Sequence, residues 1–377
     1  MSRLISASIY AMQVAVQMIT AALSVSLLVG CGIRSNNRDG VAVASPVATA
    51  ATPSDPLTPY PGNPMLRNGP ESYDYGKTGP RVVLKEGPTT YKLWYEAVAA
   101  GGLTGVAYAI STDGLSWIKQ GVVLSPDQTS WEKMEVSPNS VLYEGGVYKL
   151  WYHGGGYFLP GDGTRYGSAE VGYATSPDGV NWTRYPGNPV LSLGPVGSFD
   201  DHQVAEPRVF NLADGYRMYF TGETRDSSNT QYLALGIATS RDGINWTKYS
   251  GNPVIPTGIW DGWGGAFFFE EGVWRLWHAT PPNDSGLSYK SSGDGISWTE
   301  GPNNPVLTPS PDPTSPLSFV GDSISGYRDD STYRLMFTGF SSNLFGSLGR
   351  FEGICLAYID VGPSETSDAG VPHGSSH

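Results

Sequence analysis

A ten-residue phrase ending in Ser-x-Asp-Gly-x-x-Trp recurs along this chain and constrains its fold more than any other feature. The four copies are residues 108–117, 173–182, 237–246 and 289–298. By subtraction, their final tryptophans lie 65, 64 and 52 residues apart. This period is too long for a helical solenoid and suits one four-stranded propeller blade with its loops. The sequence therefore predicts an all-β propeller.

An aromatic, alternating strand precedes each phrase and gives the number of blades. Its five copies are residues 91–95, 148–152, 216–220, 274–278 and 333–337. Five such strands indicate five blades. Each phrase then supplies the third strand and an Asp-Gly turn, so its aspartate is interpreted as a turn residue and not as a catalytic acid.

The outer strand of each blade predicts how the ring closes. It reads Asn-Pro-hydrophobic in three blades, at residues 188–191, 252–255 and 304–307, with a variant at 122–124. The fifth blade has no such strand after residues 353–359, whereas an orphan copy at residues 63–66 precedes blade one. We expect this N-terminal strand to pair with the C-terminal blade, because closure hides the edge that an open array exposes.

The two ends of the chain indicate export. Residues 4–30 carry no charged side chain and lead to Cys31, so residues 1–30 are predicted to be a lipoprotein signal peptide and Cys31 the lipidated residue. An ordinary signal peptide or a membrane-spanning helix is the alternative. Residues 31–59 are predicted to be a flexible linker, 60–361 the propeller and 362–377 a disordered tail. The expected location is the bacterial cell envelope, at the outer membrane or cell surface.

Cysteine content and charge limit the partners. The second cysteine, Cys355, has no partner once Cys31 is acylated, so the core must stabilise the domain. The net charge of -12 argues against nucleic-acid binding. We expect a monomer, because a closed ring leaves no obvious edge for another chain. The histidines show no metal-ligand spacing, so no metal site and no required cofactor are predicted.

Polar residues that the repeat does not explain are the candidates for function. Inner strands line a propeller's channel, and the positions beside their prolines share one face. Glu206, Glu135 and Asp201 are the predicted catalytic acids. The predicted substrate-binding residues are Arg81, Arg208, Asn139, His202, His153, Lys77 and Asp74.

Such a funnel suits a sugar, because acids and guanidinium groups bind hydroxyls and aromatic faces stack on sugar rings. Glu96 and His153 follow the second strand of blades one and two, where either side chain could face the pocket or bind a loop. Asp74 also belongs to an aromatic-acid pair that precedes four inner strands, which favours a structural role. The alternative for Glu206 is an ion pair with Arg208 that plugs the channel.

The inner strands and the repeated phrases together resemble the five-bladed propeller glycosidases of the arabinanase, xylosidase and invertase superfamily, and family 43 among them. The resemblance covers about residues 60–360. It implies a base on blade one, a second acid on blade two and a proton-donating glutamate before a proline on blade three. Glu206 matches the third, whereas Gly79 and Ser137 stand at the first two positions. The resemblance also makes a structural calcium ion an expectation.

Three functions follow from this pattern. The first is an exported glycoside hydrolase, with Asp74 or Asp201 replacing the base and Glu135 the second acid. The second is a glycan-binding propeller without catalysis, which the missing acids favour. The third is a glycoside phosphorylase in which Arg81, Arg208 and Lys77 hold phosphate. Phosphate dependence separates the third from the first, and binding without turnover identifies the second.

Overall fold

The computed structural model of the chain contains only β-strands, turns and loops in its described parts, which are residues 51–99, 101–156, 167–258, 260, 264–280, 286–341 and 350–362. Within these ranges no helix is long and apolar enough to span a bilayer. The predicted signal peptide, Cys31 and the tail from residue 363 lie outside the described residues.

Four blades are formed by consecutive antiparallel strands, as the repeat predicts. Blade one is β3 (Lys77–Gly87), β4 (Thr90–Val98), β5 (Thr104–Ser111) and β6 (Ile118–Leu124). Blade two is β7 (Glu135–Glu144), β8 (Val147–Gly156), β9 (Ser168–Ser176) and β10 (Thr183–Arg184). Blade three is β11 (Gln203–Leu212), β12 (Gly215–Arg225), β13 (Gln231–Ser240) and β14 (Trp246–Lys248). Blade four is β15 (Ala266–Glu270), β16 (Val273–Ala279), β17 (Leu287–Ser292) and β18 (Thr299–Glu300).

Blade five joins the two ends of the chain and closes the ring, as expected. It comprises β19 (Phe319–Asp329), β20 (Thr332–Ser341) and β21 (Arg350–Asp360), with β1 (Thr58–Pro59) and β2 (Leu66–Arg67) paired antiparallel to β21. Leu66 stands opposite Ile354 in this pairing. The prediction of a five-bladed propeller closed by the N-terminal strand is therefore confirmed.

The Asn-Pro segments were predicted to form the outer strands, but they make only isolated bridges to the sheets. The outer strands β10, β14 and β18 instead begin at the final tryptophan of an Asp-Gly-x-x-Trp phrase or at the residue after it. An example of an Asn-Pro bridge is Val171 to Leu191. The asparagine amide takes the place of a strand residue: Asn188 accepts a hydrogen bond from the Tyr173 amide at 2.8 Å and donates to its carbonyl at 3.0 Å. Asn63 makes the same two bonds to Leu356, both at 2.8 Å, so the orphan copy does belong to blade five.

Residues at the end of the predicted linker, which spans 31–59, contact the propeller. Leu57 is buried in the core between blades four and five, and its amide donates to the Val306 carbonyl at 2.7 Å. The final part of the predicted linker is therefore seated on the propeller. Leu57 supplies the reason, since one large apolar side chain in a polar segment is enough to anchor it.

The repeated aspartates are turn residues, as interpreted. Asp113 Oδ1 accepts from the amides of Leu115 and Ser116 at 2.8 and 2.7 Å, and Gly114 has a φ of +69°. Each turn also ties neighbouring blades together: the Trp94 indole donates to the Gly179 carbonyl and the Trp151 indole to the Gly243 carbonyl, both at 2.7 Å. The Gly114 and Gly295 carbonyls accept in the same way from the Tyr327 and Tyr219 hydroxyls, at 2.9 and 3.0 Å, so each of the four copies links two blades.

Candidate active site

Irregularities in the inner strands aim polar side chains at the axis. The pairing of β3 with β4 shifts between Pro80 and Val82, and that of β7 with β8 shifts between Pro138 and Ser140. Such a bulge leaves one residue outside the ladder and re-aims its side chain. The released residues are Arg81 and Asn139, which are both buried. A similar shift lies between Ala205 and Arg208 in β11.

Glu206 lies at the centre of this arrangement. Its φ is +56°, an unfavourable value for a residue with a side chain, and such strain is common at functional sites. Arg81 Nη1 donates to its Oε1, and Asn139 Nδ2 donates to its Oε2 at 2.7 Å. From blade four, Gly264 leaves the necessary space, because a Cβ there would lie 2.9 Å from Glu206 Oε2.

Glu96 is a second buried carboxylate of the site; the sequence marked it as a residue that could face the pocket, but it was not among the predicted catalytic or substrate-binding residues. It lies on β4, where Arg81 Nη2 and the Ser137 hydroxyl, at 2.9 Å, both donate to its Oε2. The Lys77 ammonium is 3.4 Å from its Oε1. A sequence signal existed, since the equivalent positions in the later blades are His153, Thr221, Ala279 and Thr338. Only Glu96 among them is acidic.

His153 connects the centre of the cluster to its rim. Its Nδ1 lies 2.9 Å from Asn139 Oδ1 and 3.9 Å from Glu206 Oε1, and its Nε2 lies 3.3 Å from Glu135 Oε1. Side-chain exposure falls from 25% at Glu135 and 17% at Lys77 to 5% at Glu96 and 2% at Glu206. The cluster therefore deepens from the mouth towards the axis.

The charges in the cluster stabilise one another. Burial alone would raise the pKa of Glu96, but the nearby Arg81 and Lys77 outweigh it and hold this pKa well below its usual range. Burial alone would lower the pKa of His153, but the hydrogen bond and charge of Glu135 leave this pKa raised. Glu96 is thus a carboxylate at neutral pH, and His153 keeps its proton more readily than a free imidazole.

Arg208 has a structural role that its sequence position did not indicate. Its Nη1 donates to the carbonyls of Arg81 at 2.9 Å and Asn139 at 2.7 Å, and its Nη2 donates to the Ile324 carbonyl at 2.9 Å. One guanidinium therefore ties together the inner strands of blades one, two and five. Arg208 Nη2 is 3.8 Å from Glu206 Oε2, so the predicted ion pair is present but is not the closest contact of either group.

Asp74, which is predicted to bind substrate, has its contacts within blade one. It is fully buried, its Oδ2 accepts from the Tyr95 hydroxyl at 3.3 Å, and it is 2.5 Å from the Lys119 ammonium. Glu132 in the next blade likewise accepts from the Tyr152 hydroxyl, at 2.7 Å. The aromatic-acid pair thus joins the second and outer strands of a blade, as its repetition suggested.

Asp201 and His202 lie just before β11 on blade three. Asp201 Oδ2 accepts from the Gly197 amide at 2.8 Å, and His202 Nε2 is 3.7 Å from Glu223 Oε1. Glu223 is fully buried and also binds Arg225. The geometry therefore joins Asp201 and His202 to local partners in blade three, while Glu206, Glu135, Arg81, Asn139, His153 and Lys77 form one connected group with Glu96.

Two cavities are lined by other residues. One of about 340 Å³ opens on blade two, and its lining includes Trp131, Lys133 and Glu170. A larger one of about 510 Å³ lies at the opposite end of blade three, around Asp214 and Arg217, and is remote from the acids. Among the described residues, no three His, Cys, Asp or Glu side chains are grouped closely enough to hold a metal ion.

Comparison with known proteins identifies the class of protein. The model of the glycosyl hydrolases family 32 N-terminal domain matches residues 133–262, which contain blades two and three. A solved structure described as a glycoside hydrolase superposes with a TM-score of 0.61 at 17% identity, covering 87% of this chain and 96% of the other. A thermostable family-43 glycoside hydrolase gives a TM-score of 0.54 at 17% identity, covering 77% and 92%. The resemblance to the five-bladed propeller glycosidases is confirmed.

Sequence homology within that class is to the invertase family. Acid beta-fructofuranosidase AIV-18 of Capsicum annuum is 32% identical over 162 residues, which is 42% of this chain and 23% of that protein. The chain thus spans about a quarter of the length of this relative. The chain has a glycoside hydrolase-like propeller fold, and part of its length is similar in sequence to the invertase family.

Proposed function

We propose that the protein is an exported, membrane-tethered glycoside hydrolase acting on oligosaccharides or polysaccharides. The observation that carries this proposal is the convergence of Glu206, Glu96 and Glu135 with Arg81 and His153 at one end of the channel. These residues come from three blades and occupy positions that the repeat leaves free to vary. Structural needs common to all blades therefore do not explain them.

A carbohydrate is the ligand that such a group suits best. Carboxylates, an arginine and an amide supply the charge-assisted hydrogen bonds that sugar hydroxyls accept and donate. A pair of carboxylates can also hydrolyse a glycosidic bond, with one donating a proton and the other activating water. Glu206 is the proposed proton donor, by its place before Pro207 on blade three.

A non-catalytic glycan-binding propeller is the second candidate, and one observation favours it. Arg81 and Asn139 both donate hydrogen bonds to Glu206. Both carboxylate oxygens of Glu206 are therefore already bound by side chains of the protein. A phosphorylase is less favoured, because Arg208 is engaged with backbone carbonyls and Arg81 with two carboxylates.

The proposed location rests on Cys31 and the apolar stretch before it. Export of the full-length chain with lipid attached to Cys31 is expected, and Cys31→Ser should release the protein from the membrane fraction. Labelling with a radioactive fatty acid, followed by membrane fractionation of the two proteins, tests this. Equal recovery of the variant in the membrane would contradict lipid anchoring through Cys31.

Reducing-sugar release from arabinans, xylans, fructans and mannans tests the enzymatic proposal. The native protein should release sugar from one of these polymers, and Glu206→Gln should not, whereas the exposed Glu71→Gln should behave as the native protein does. Binding of a polymer without release would establish the second candidate. Release by Glu206→Gln at the native rate would remove Glu206 from the reaction.

A further inference from the structure

Glu96 stands directly opposite Gly79 across the β3–β4 ladder, so the two residues share one place in the site. A Cβ added to Gly79 would lie 3.4 Å from both the Cβ and the Oε1 of Glu96. The carboxylate of Glu96 therefore occupies the space that a side chain at residue 79 would enter. An acidic group missing from the inner strand is present on the neighbouring strand.

The contacts of Glu96 link it to Glu206 through one residue. One guanidinium, that of Arg81, donates to Glu96 with Nη2 and to Glu206 with Nη1. The two carboxylates therefore share a single guanidinium group. Ser137 fixes Glu96 Oε2 from blade two at 2.9 Å, and Lys77 approaches Oε1 from the rim at 3.4 Å.

Other acids in this part of the chain have different partners. Asp74 is fully buried beneath blade one with Tyr95 and Lys119. Asp201 is bound to the Gly197 amide. Glu135 lies at the rim and reaches the centre only through His153.

We propose that Glu96 is the base of the site, doing from β4 what an acid at residue 79 would do from β3. This inference rests on the proposed hydrolase function. A water molecule forms a bond from its oxygen to the anomeric carbon and gives one proton to the Glu96 carboxylate. The glycosidic bond breaks, its electron pair moves to the leaving oxygen, and that oxygen takes a proton from Glu206.

Moving the carboxylate between the two strands tests the assignment. Glu96→Ala and Glu96→Gln should each lower kcat by about 10² to 10⁴ fold, the usual contribution of a positioned base. The double variant Gly79→Asp with Glu96→Ala should recover at least tenfold over Glu96→Ala. Truncating Glu96 removes its carboxylate from beside a new Cβ at residue 79, and the Ser323 hydroxyl, 3.2 Å from that Cβ, has to shift by a few tenths of an ångström.

External azide gives a readout that a purely structural residue would not change. With an aryl glycoside of the sugar that the native protein releases, Glu96→Ala should be accelerated by sodium azide. Azide then bonds to the anomeric carbon in place of water while the aryl oxide leaves, and a glycosyl azide accumulates. Glu71→Gln should show no such acceleration. Thermal denaturation of each variant checks that it is folded.

The outcomes separate this inference from the function on which it rests. No release by the native protein from any polymer overturns both. Native release that Glu96→Gln retains overturns only the role of Glu96. Loss of release in the folded Glu96 variants, with neither azide rescue nor recovery in the double variant, also overturns it. The hydrolase function then still stands on Glu206.

Discussion

Leu66 is the residue on which closure of the ring can be tested most directly. It is only 4% exposed and packs in the cluster between blades five and one, which includes Ile354, Leu356 and Val83. Its strand is two residues long, so backbone pairing alone anchors it weakly. The substitution Leu66→Ala should therefore weaken the contact that joins the two ends of the chain.

The size of the effect follows from the loss of a buried leucine. Buried Leu→Ala changes cost about 2 to 5 kcal/mol, from lost transfer free energy and the remaining cavity. We expect the free energy of unfolding to fall by roughly 2 to 3 kcal/mol for Leu66→Ala, because the short strand that carries residue 66 can partly collapse into the cavity. For a domain of this size, each kcal/mol lowers Tm by about 2 °C. The expected fall in Tm is therefore roughly 4 to 6 °C.

Thermal denaturation followed by circular dichroism measures this change. Ile118→Ala is the matched control, because Ile118 lies on an outer strand and is 64% exposed. That change should alter stability by no more than about 0.5 kcal/mol. A deletion of residues 61–67 should cost more than Leu66→Ala, because it also removes the two bonds of Asn63. A Leu66→Ala transition no lower than that of the control would refute the reasoning.

Three further predictions concern the site and its surroundings. Lys77→Met removes a positive charge 3.4 Å from the Glu96 carboxylate and so raises the lowered pKa of Glu96. The acidic limb of the pH profile of kcat/KM should move up by about one pH unit. An unmoved limb would contradict the assignment of Glu96 as the base. Gly264→Ala should impair turnover or glycan binding, because its Cβ would meet Glu206, the proposed proton donor. Gly258→Ala is the matched control, since Gly258 has a similar positive φ but open space around it, and it should lower only stability. Equal activity of the two variants would argue against a contact between residue 264 and Glu206. Burial and a neighbouring lysine lower the pKa of His278 to about 3. The free energy of unfolding should therefore fall as pH drops from about 6.5 towards 3, by up to about 1.4 kcal/mol per pH unit. Tm measured from pH 7 to 4 should show this fall in the native protein and not in His278→Gln.

The fold was predictable because its signals are local. Strand alternation, Asp-Gly turns and the Asn-Pro segments each act over a few residues, and five repeats of them specify five blades. The orphan copy at residues 63–66 predicted closure, because its asparagine pairs with β21 in the same way as the other copies pair with their own blades. The role of Asp113 as a turn residue followed from the same repetition.

The site was predictable only in part, because its contacts join different blades. The sequence indicated Glu206, Arg81, Asn139 and His153 as departures from the repeat, and the structure brings them together. It left Asp74 with two interpretations, substrate binding or a structural pair, and the structure shows this side chain buried with Tyr95 and Lys119.

The sequence by itself determined the blade number, the closure and the positions at which the repeat varies. Only the tertiary structure decided that Arg208 binds the carbonyls of three other blades and that Glu96 fills the space beside Gly79. The physical reason is that strand register and bulges set which side chains meet at the axis, and these depend on pairing between distant segments.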